Sequence, residues 1–286
     1  MTCSSRHHSQ YQYSAFAYSV SAEFERPSKH SMSPQASLIL AGHGGHGSQR
    51  TPGQNVHGLI SFKEAYSEVG GSYDDCHDTH TTHAWSVLEG VNIADMLTAD
   101  RVVARVAIYY KADDSNEASY DFTGSYFENL RIAGHPIHLQ LDTLSLHNQD
   151  TFKKVADGYK QRANDNLLLG SAMMKMDTTA LEGLEEEYHA LTGVSKMVKT
   201  WQGDRSAERT SFLLSGANHL NLEAEIGKTE LEGYGSFICI PKFGVIRLGE
   251  ITVHRHSRTL RMFRVQMCSS GHGGSDGPTT GGGTGP

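Results

Sequence analysis

The chain opens with alternation. From residue 11 to residue 24 (YQYSAFAYSVSAEF), Phe16, Tyr18, Val20, Ala22 and Phe24 recur at every second position with smaller residues between them. A period of two places those side chains on one face of an extended chain, so the pattern predicts one long strand with one buried face. Further strands are predicted over 36–41, 57–62, 84–94, 98–111, 119–133 and 135–144, then over 211–225, 234–240, 244–255 and 259–267. Turn formers separate them at Gly70-Gly71, at 113–116, at Ala133-Gly134 and at 256–258. Short strands at this spacing predict a mainly β fold, an antiparallel β-sandwich or β-roll. The segments 87–102 and 126–141 echo one another, which keeps a β-helix as the alternative, although two copies are few for a solenoid.

The middle of the chain has another period. Asp177 precedes Leu181, Leu184, Tyr188 and Leu191, which recur at three- and four-residue intervals, while Glu182 and Glu185 to Glu187 take the other face. That is an N-cap and an amphipathic helix, closed by Gly193. A weaker helix over 152–169 is interrupted by Gly158. The expected organisation is a flexible N-terminus (1–10), one β-rich domain (11–268) with an α-helical insertion at about 150–200, and a Gly-rich disordered tail (269–286).

Charge narrows the classes of partner. Lys and Arg number 25 against 32 Asp and Glu, a formal net charge of −7 with no basic run. Such a chain attracts neither nucleic acid nor an anionic membrane. No segment approaches the roughly 18 apolar residues of a membrane-spanning helix. The polar stretch 1–10 has no apolar segment after Arg6, so no signal peptide is visible. Cys3, Cys76, Cys239 and Cys268 are too few and too scattered for a disulfide framework, and their pairing stays open. Cys239, inside the apolar run FICI, reads as a buried small hydrophobe.

The 17 histidines raise the question of metal. The segment 74–83 (DDCHDTHTTH) carries His77, His80 and His83 among carboxylates and Cys76, the donor types that zinc takes. On an extended strand His80 and His83 point to opposite faces, so chelation there requires a turn. His254 and His256, two apart near a strand end, can share a face but need a third ligand from elsewhere. GHGGHG at 42–47 matches G-x-G-x-x-G, yet Pro52 and Gly53 follow instead of the helix whose N-terminal amides would meet a pyrophosphate. No G-x-S-x-G nucleophile elbow is present.

Several pieces taken together resemble the bacterial secreted proteins grouped as the choice-of-anchor P family. They are SAFAYSVSA near the start, the core Leu88, Gly90, Val91, Thr98, Ala99 and Asp100, ENLRIAGHPI from Glu128, and Pro241, Gly244, Leu248 and Glu250 within IPKFGVIRLGEITVH. The resemblance implies an extracellular or cell-surface β-rich domain with no assigned catalytic residues. The expected departures from that family are three: no visible signal peptide, no C-terminal anchor, and the helical insertion near 150–200.

The sequence names no reaction. Its reading is a non-catalytic extracellular or surface-associated structural or interaction protein, self-assembling into a homo-oligomer or fibre by strand pairing. Phe16, Tyr18, Val20 and Phe24 mark the strand that could be donated to a neighbouring subunit's open edge. The alternative is a metal-binding protein or metal-dependent enzyme holding a divalent ion such as zinc through His77, His80 and His83 with His254 or His256. No other cofactor is expected.

Overall fold

The computed structural model describes residues 11–24, 30–111, 117–142, 150–160, 211–217, 231–234, 236–267, 273–276 and 279–283, with Leu220, Leu222 and Gly227. The first strands are β1 (Ala15–Tyr18), β2 (Val20–Phe24), β3 (His30–Gln35) and β4 (Leu38–Ile39). A second sheet follows: β5 (Gly45–Val56), β6 (Ile60–Asp74), β7 (Thr79–Ile93), β8 (Leu97–Lys111), β9 (Ser119–Asp121), β10 (Tyr126–Glu128), β11 (Arg131–Ile132) and β12 (His135–Pro136). After helix α1 (Phe152–Lys160), the chain returns to the first sheet with β13 (Ser211–Ser215), β14 (Glu232–Tyr234), β15 (Phe237–Ile240), β16 (Gly244–His254), β17 (Ser257–Met267), β18 (Gly273–Asp276) and β19 (Thr279–Gly283).

Among the described residues one sheet therefore has eleven strands and the other eight. The eight-stranded sheet runs β12-β11-β8-β7-β6-β5, with β9 and β10 also on β8. All pairing among the described residues is antiparallel, as in the β7–β8 and β16–β17 ladders, which removes the parallel β-helix reading. Ile60, Leu88, Val102 and Ile108 from one sheet and Ile246, Leu248, Leu260 and Phe263 from the other form one buried core. The arrangement is the sandwich-like layering of two antiparallel sheets. Burying each such side chain contributes roughly 1.5–3 kcal/mol.

The buried face changes phase partway along both sheets. In β7 the core takes Leu88 and then Val91 and Ile93; in β8 it takes Leu97 and Ala99 and then Val102 and Ala104. In β16 it takes Ile246 and Leu248 and then Ile251 and Val253. Gly90 (φ +59°) and Gly249 (φ +60°) sit at these switches. A single left-handed residue turns the strand about its axis, and glycine adopts that conformation without a Cβ penalty. Across each corner a Glu faces an Arg on the next strand: Glu89 and Arg101 at 2.8 Å, and Glu250 and Arg261 at 3.7 Å. Glu250 is buried and also lies near Arg247 (3.4 Å) and Arg264 (3.7 Å).

Several expectations need correction. The single strand over 11–24 is two strands, because the chain bends at Ser19. The Ser19 hydroxyl is buried and donates to the Tyr66 carbonyl at 2.8 Å, and the packed face changes there from Ala15 and Ala17 to Val20 and Ala22, so Phe16 is not on the buried face that the alternation assigns it. Gly70-Gly71 is not a turn but lies inside β6. The tail, expected to be a flexible linker, contains β18 and β19, since pairing uses backbone groups that glycine supplies as well as any residue. The predicted strand over 119–133 is three short ones, β9, β10 and β11, and the described part of that over 135–144 shortens to β12.

Helix α1 falls in the weaker predicted helix, with Thr151 Oγ1 accepting from the Lys154 amide and Val155 buried in the core. The predicted helix over 177–193 lies outside the described residues, as do residues 1–10. No helix among the described residues is long and apolar enough to cross a membrane.

Candidate functional site

The five sequence-predicted histidines do not share a site. His77 is exposed in the β6–β7 turn and its Nδ1 donates to Asp74 Oδ2 at 2.7 Å. His80, at the start of β7, is buried on the core side. Its ring stacks on Tyr11 with centroids 3.9 Å apart, and a 2.9 Å hydrogen bond joins its Nδ1 to the Tyr13 hydroxyl. Burial pushes the Tyr13 hydroxyl above its ordinary pKa. His83, three residues on, points to the outer face. His254 and His256 are exposed at the β16–β17 hairpin of the other sheet. Among the described residues, no three His, Cys, Asp or Glu side chains are grouped to hold a metal ion.

The donation candidates are internal. Phe16 and Tyr18 lie in β1, which pairs with β4 on one side and β19 on the other. Val20 and Phe24 lie in β2, between β3 and β18. Both edges of this strand are occupied within its own sheet. The GHGGHG run enters β5, a strand, so no helix N-terminus follows it.

What the structure assembles instead is on the outer face of the eight-stranded sheet. The register places Ser48, Glu68, Trp85 and Arg105 in one row, and Arg50, Tyr66, Val87, Val103 and Tyr126 in the next. His46 and His83 flank Gly70 in a third row. Glu68 is the hub. The Tyr66 hydroxyl donates to its Oε2 at 2.7 Å, while His46 Nε2 (3.2 Å) and His83 Nε2 (3.5 Å) reach its Oε1 from the strands on either side. Gly70 makes this possible, because a Cβ there would stand 2.3 Å from the His83 ring.

The network is partly wet: the His46, His83 and Glu68 side chains are 60%, 36% and 22% exposed. The Tyr66 hydrogen bond, followed by His46, holds the Glu68 carboxyl below the usual carboxylate range, against the opposing effect of burial. The same carboxylate, helped by partial burial, raises the Tyr66 hydroxyl above its ordinary pKa.

Aromatic rings complete the face. Tyr66 and Trp85 meet edge to face at 5.9 Å, and Arg50 lies over the Tyr66 ring at 5.6 Å. Of the three large hydrophobic side chains exposed among the described residues, two, Tyr109 (37%) and Tyr126 (40%), are on this face. Sequence reasoning missed the network because β5 is polar throughout and its partner residues are 15 to 37 positions apart. The available signal was the period-two polar series Glu64, Tyr66, Glu68 in β6.

No curated protein and no solved structure matches this chain. The model of a domain of unknown function, DUF8256, matches residues 11–254, a span that takes in strands of both sheets. The chain belongs to the DUF8256 family.

Proposed function

We propose that this protein is a non-catalytic recognition protein that works at a cell surface or outside the cell, and that the outer face of its eight-stranded sheet is the binding surface. The observation that carries this reading is the cross-strand network on Glu68, set beside Trp85 and the exposed rings of Tyr109 and Tyr126. Polar side chains positioned by one another, next to accessible aromatic rings, form a surface ready to bind with little ordering cost. The extracellular setting follows from the resemblance to choice-of-anchor P proteins. Self-assembly by strand exchange receives no support from β1 and β2, whose edges are both paired.

The test is association of labelled protein with intact cells of the source organism and with the material they shed. A Tyr109→Ser/Tyr126→Ser variant, with unchanged circular dichroism, is expected to lose at least about tenfold in affinity, the order of two aromatic contacts. Equal binding by both proteins, or binding by neither, overturns the proposal.

A further inference from the structure

We infer that β5 is a docking edge for a second copy of this chain, and that two copies join their eight-stranded sheets through it about a two-fold axis. The inference goes beyond the recognition reading and does not rest on it. The first ground is the open edge. β5 spans 12 residues, Gly45–Val56, and among the described residues it pairs with β6 alone. His46, Ser48, Gln49 and Arg50 are exposed. The chain between β3 and β4 touches β5 on its inner face, where the Ala36 amide donates to Thr51 Oγ1, and leaves the margin uncovered. At the other end of the same sheet β12 is only 2 residues long, the usual way in which a margin is kept from pairing.

Pro52 identifies which groups the margin offers. The β5–β6 register runs without a shift from Gly45↔Gly71 to Pro52↔Glu64. Proline has no N–H, so Pro52 occupies a place in that ladder that exchanges no hydrogen bonds with β6. Such places alternate along an antiparallel pair. His46, Ser48 and Arg50 therefore also turn their N–H and C=O groups away from β6, toward the margin. Pro52 itself closes the pairable run on that side.

A copy of the same strand satisfies these groups. With Ser48 opposite Ser48 of the second copy, His46 meets Arg50 and Arg50 meets His46, and each of these residues exchanges both of its backbone hydrogen bonds. The facing serine hydroxyls are a favourable cross-strand pair. Gly47 then lies opposite Gln49, and Gly45 opposite Thr51, all uncharged. The His46–Arg50 pairs bring no bare charges together, because each partner is held by a carboxylate of its own copy. Arg50 is 3.1 Å from Glu64, and His46 Nε2 is 3.2 Å from Glu68 Oε1. A foreign strand could use the same backbone groups, but the isologous contact removes two open margins at once and stops at two copies.

The experiment is sedimentation velocity of the untagged full chain from about 1 to about 100 µM. A reversible monomer–dimer equilibrium in that range is expected. Ser48→Pro removes the central N–H without touching the β5–β6 ladder and should weaken dimerisation at least about tenfold, with unchanged circular dichroism. Ser48→Cys tests the register. Paired Cα atoms at such a position are about 5.5 Å apart, within reach of a disulfide, so mild oxidation should link two copies above the background set by the chain's own cysteines. Gln54→Cys, farther from the axis on the same strand, should not link them. A chain that sediments as a monomer throughout overturns the proposal. So does a dimer that Ser48→Pro leaves intact, or one in which the two cysteine variants link equally or not at all, since association then runs through another surface. If Ser48→Pro loses its native circular dichroism, the cysteine pair decides alone.

Discussion

Gly90 in β7 and Gly249 in β16 occupy equivalent places in opposite sheets: both have φ near +60°, and at both the buried face of the strand changes. Each lies next to a glutamate that faces an arginine on the following strand, Glu89 with Arg101 and Glu250 with Arg261. The two layers thus turn by the same device, and the core remains continuous past both corners.

Alanine at either glycine should cost about 1–2 kcal/mol, because a Cβ in the left-handed region clashes with its own backbone. Gly249→Ala should be the worse of the two. Its added methyl meets Leu141 at 3.0 Å and the Ala217 amide at 3.4 Å, whereas at Gly90 the nearest atoms belong to the flexible Lys63 side chain. Chemical denaturation checks both the size and the order, with Gly90→Asn milder than Gly90→Ala because Asn tolerates the left-handed region.

Ser19→Ala removes the hydroxyl that donates to the Tyr66 carbonyl and leaves the bend between β1 and β2 unpinned. The expected loss is about 1 kcal/mol, the net value of a buried hydrogen bond. Ser19→Val should cost more, since the fully buried site has no room for added methyls. A midpoint shift in urea with an unchanged slope is the expected signature.

The Glu68 network has opposite effects at the two ends of the pH scale. Glu68 is held below its ordinary pKa, so it contributes stability above the unfolded carboxylate range near 4.3 that is lost as pH falls through the folded value. Tyr66 is raised, so its contribution is present below about pH 10 and lost as pH rises through its folded value. Glu68→Gln should flatten both limbs, and ultraviolet titration of the tyrosines should show Tyr66 ionising at lower pH in the variant. An unchanged Tyr66 titration would show that the carboxylate does not hold the phenol.

Arg258 links the sheets, with Glu117 and Asp150 near enough to favour its charge. Its guanidinium is buried over the Tyr120 ring of β9, 3.9 Å from the centroid, and donates to the His254 and Ser257 carbonyls. Burial lowers its pKa to about 10, which leaves it charged at neutral pH. Arg258→Lys should cost about 2 kcal/mol, because an ammonium loses the planar stacking and the two-carbonyl fork. Tyr120→Leu should cost a similar amount, and the double variant less than the sum, as measured by a thermodynamic cycle.

The sequence by itself determined the material of the fold. Period-two runs gave β8, β16, β17 and the larger part of β7 their strand character, whereas only the first residues of β6 lay in a predicted strand, and Cys239 was legible as a buried apolar residue because FICI is apolar throughout. The segments that carry the family resemblance hold Leu88, Gly90 and Val91 and then Leu248 and Glu250, residues that bracket the two corners. The opposite orientations of His80 and His83 were also legible, since alternation along a strand is local. Tertiary structure decided the rest. Period two cannot say where a strand turns its face, because one left-handed glycine reverses the pattern without altering composition. It cannot find β5, a polar edge strand that has no buried face to reveal it. Nor can it join His46, Glu68 and His83, which register across three strands brings onto one carboxylate. Chain-local physics sets which residues can be strands, and pairing between distant strands sets which of their side chains meet.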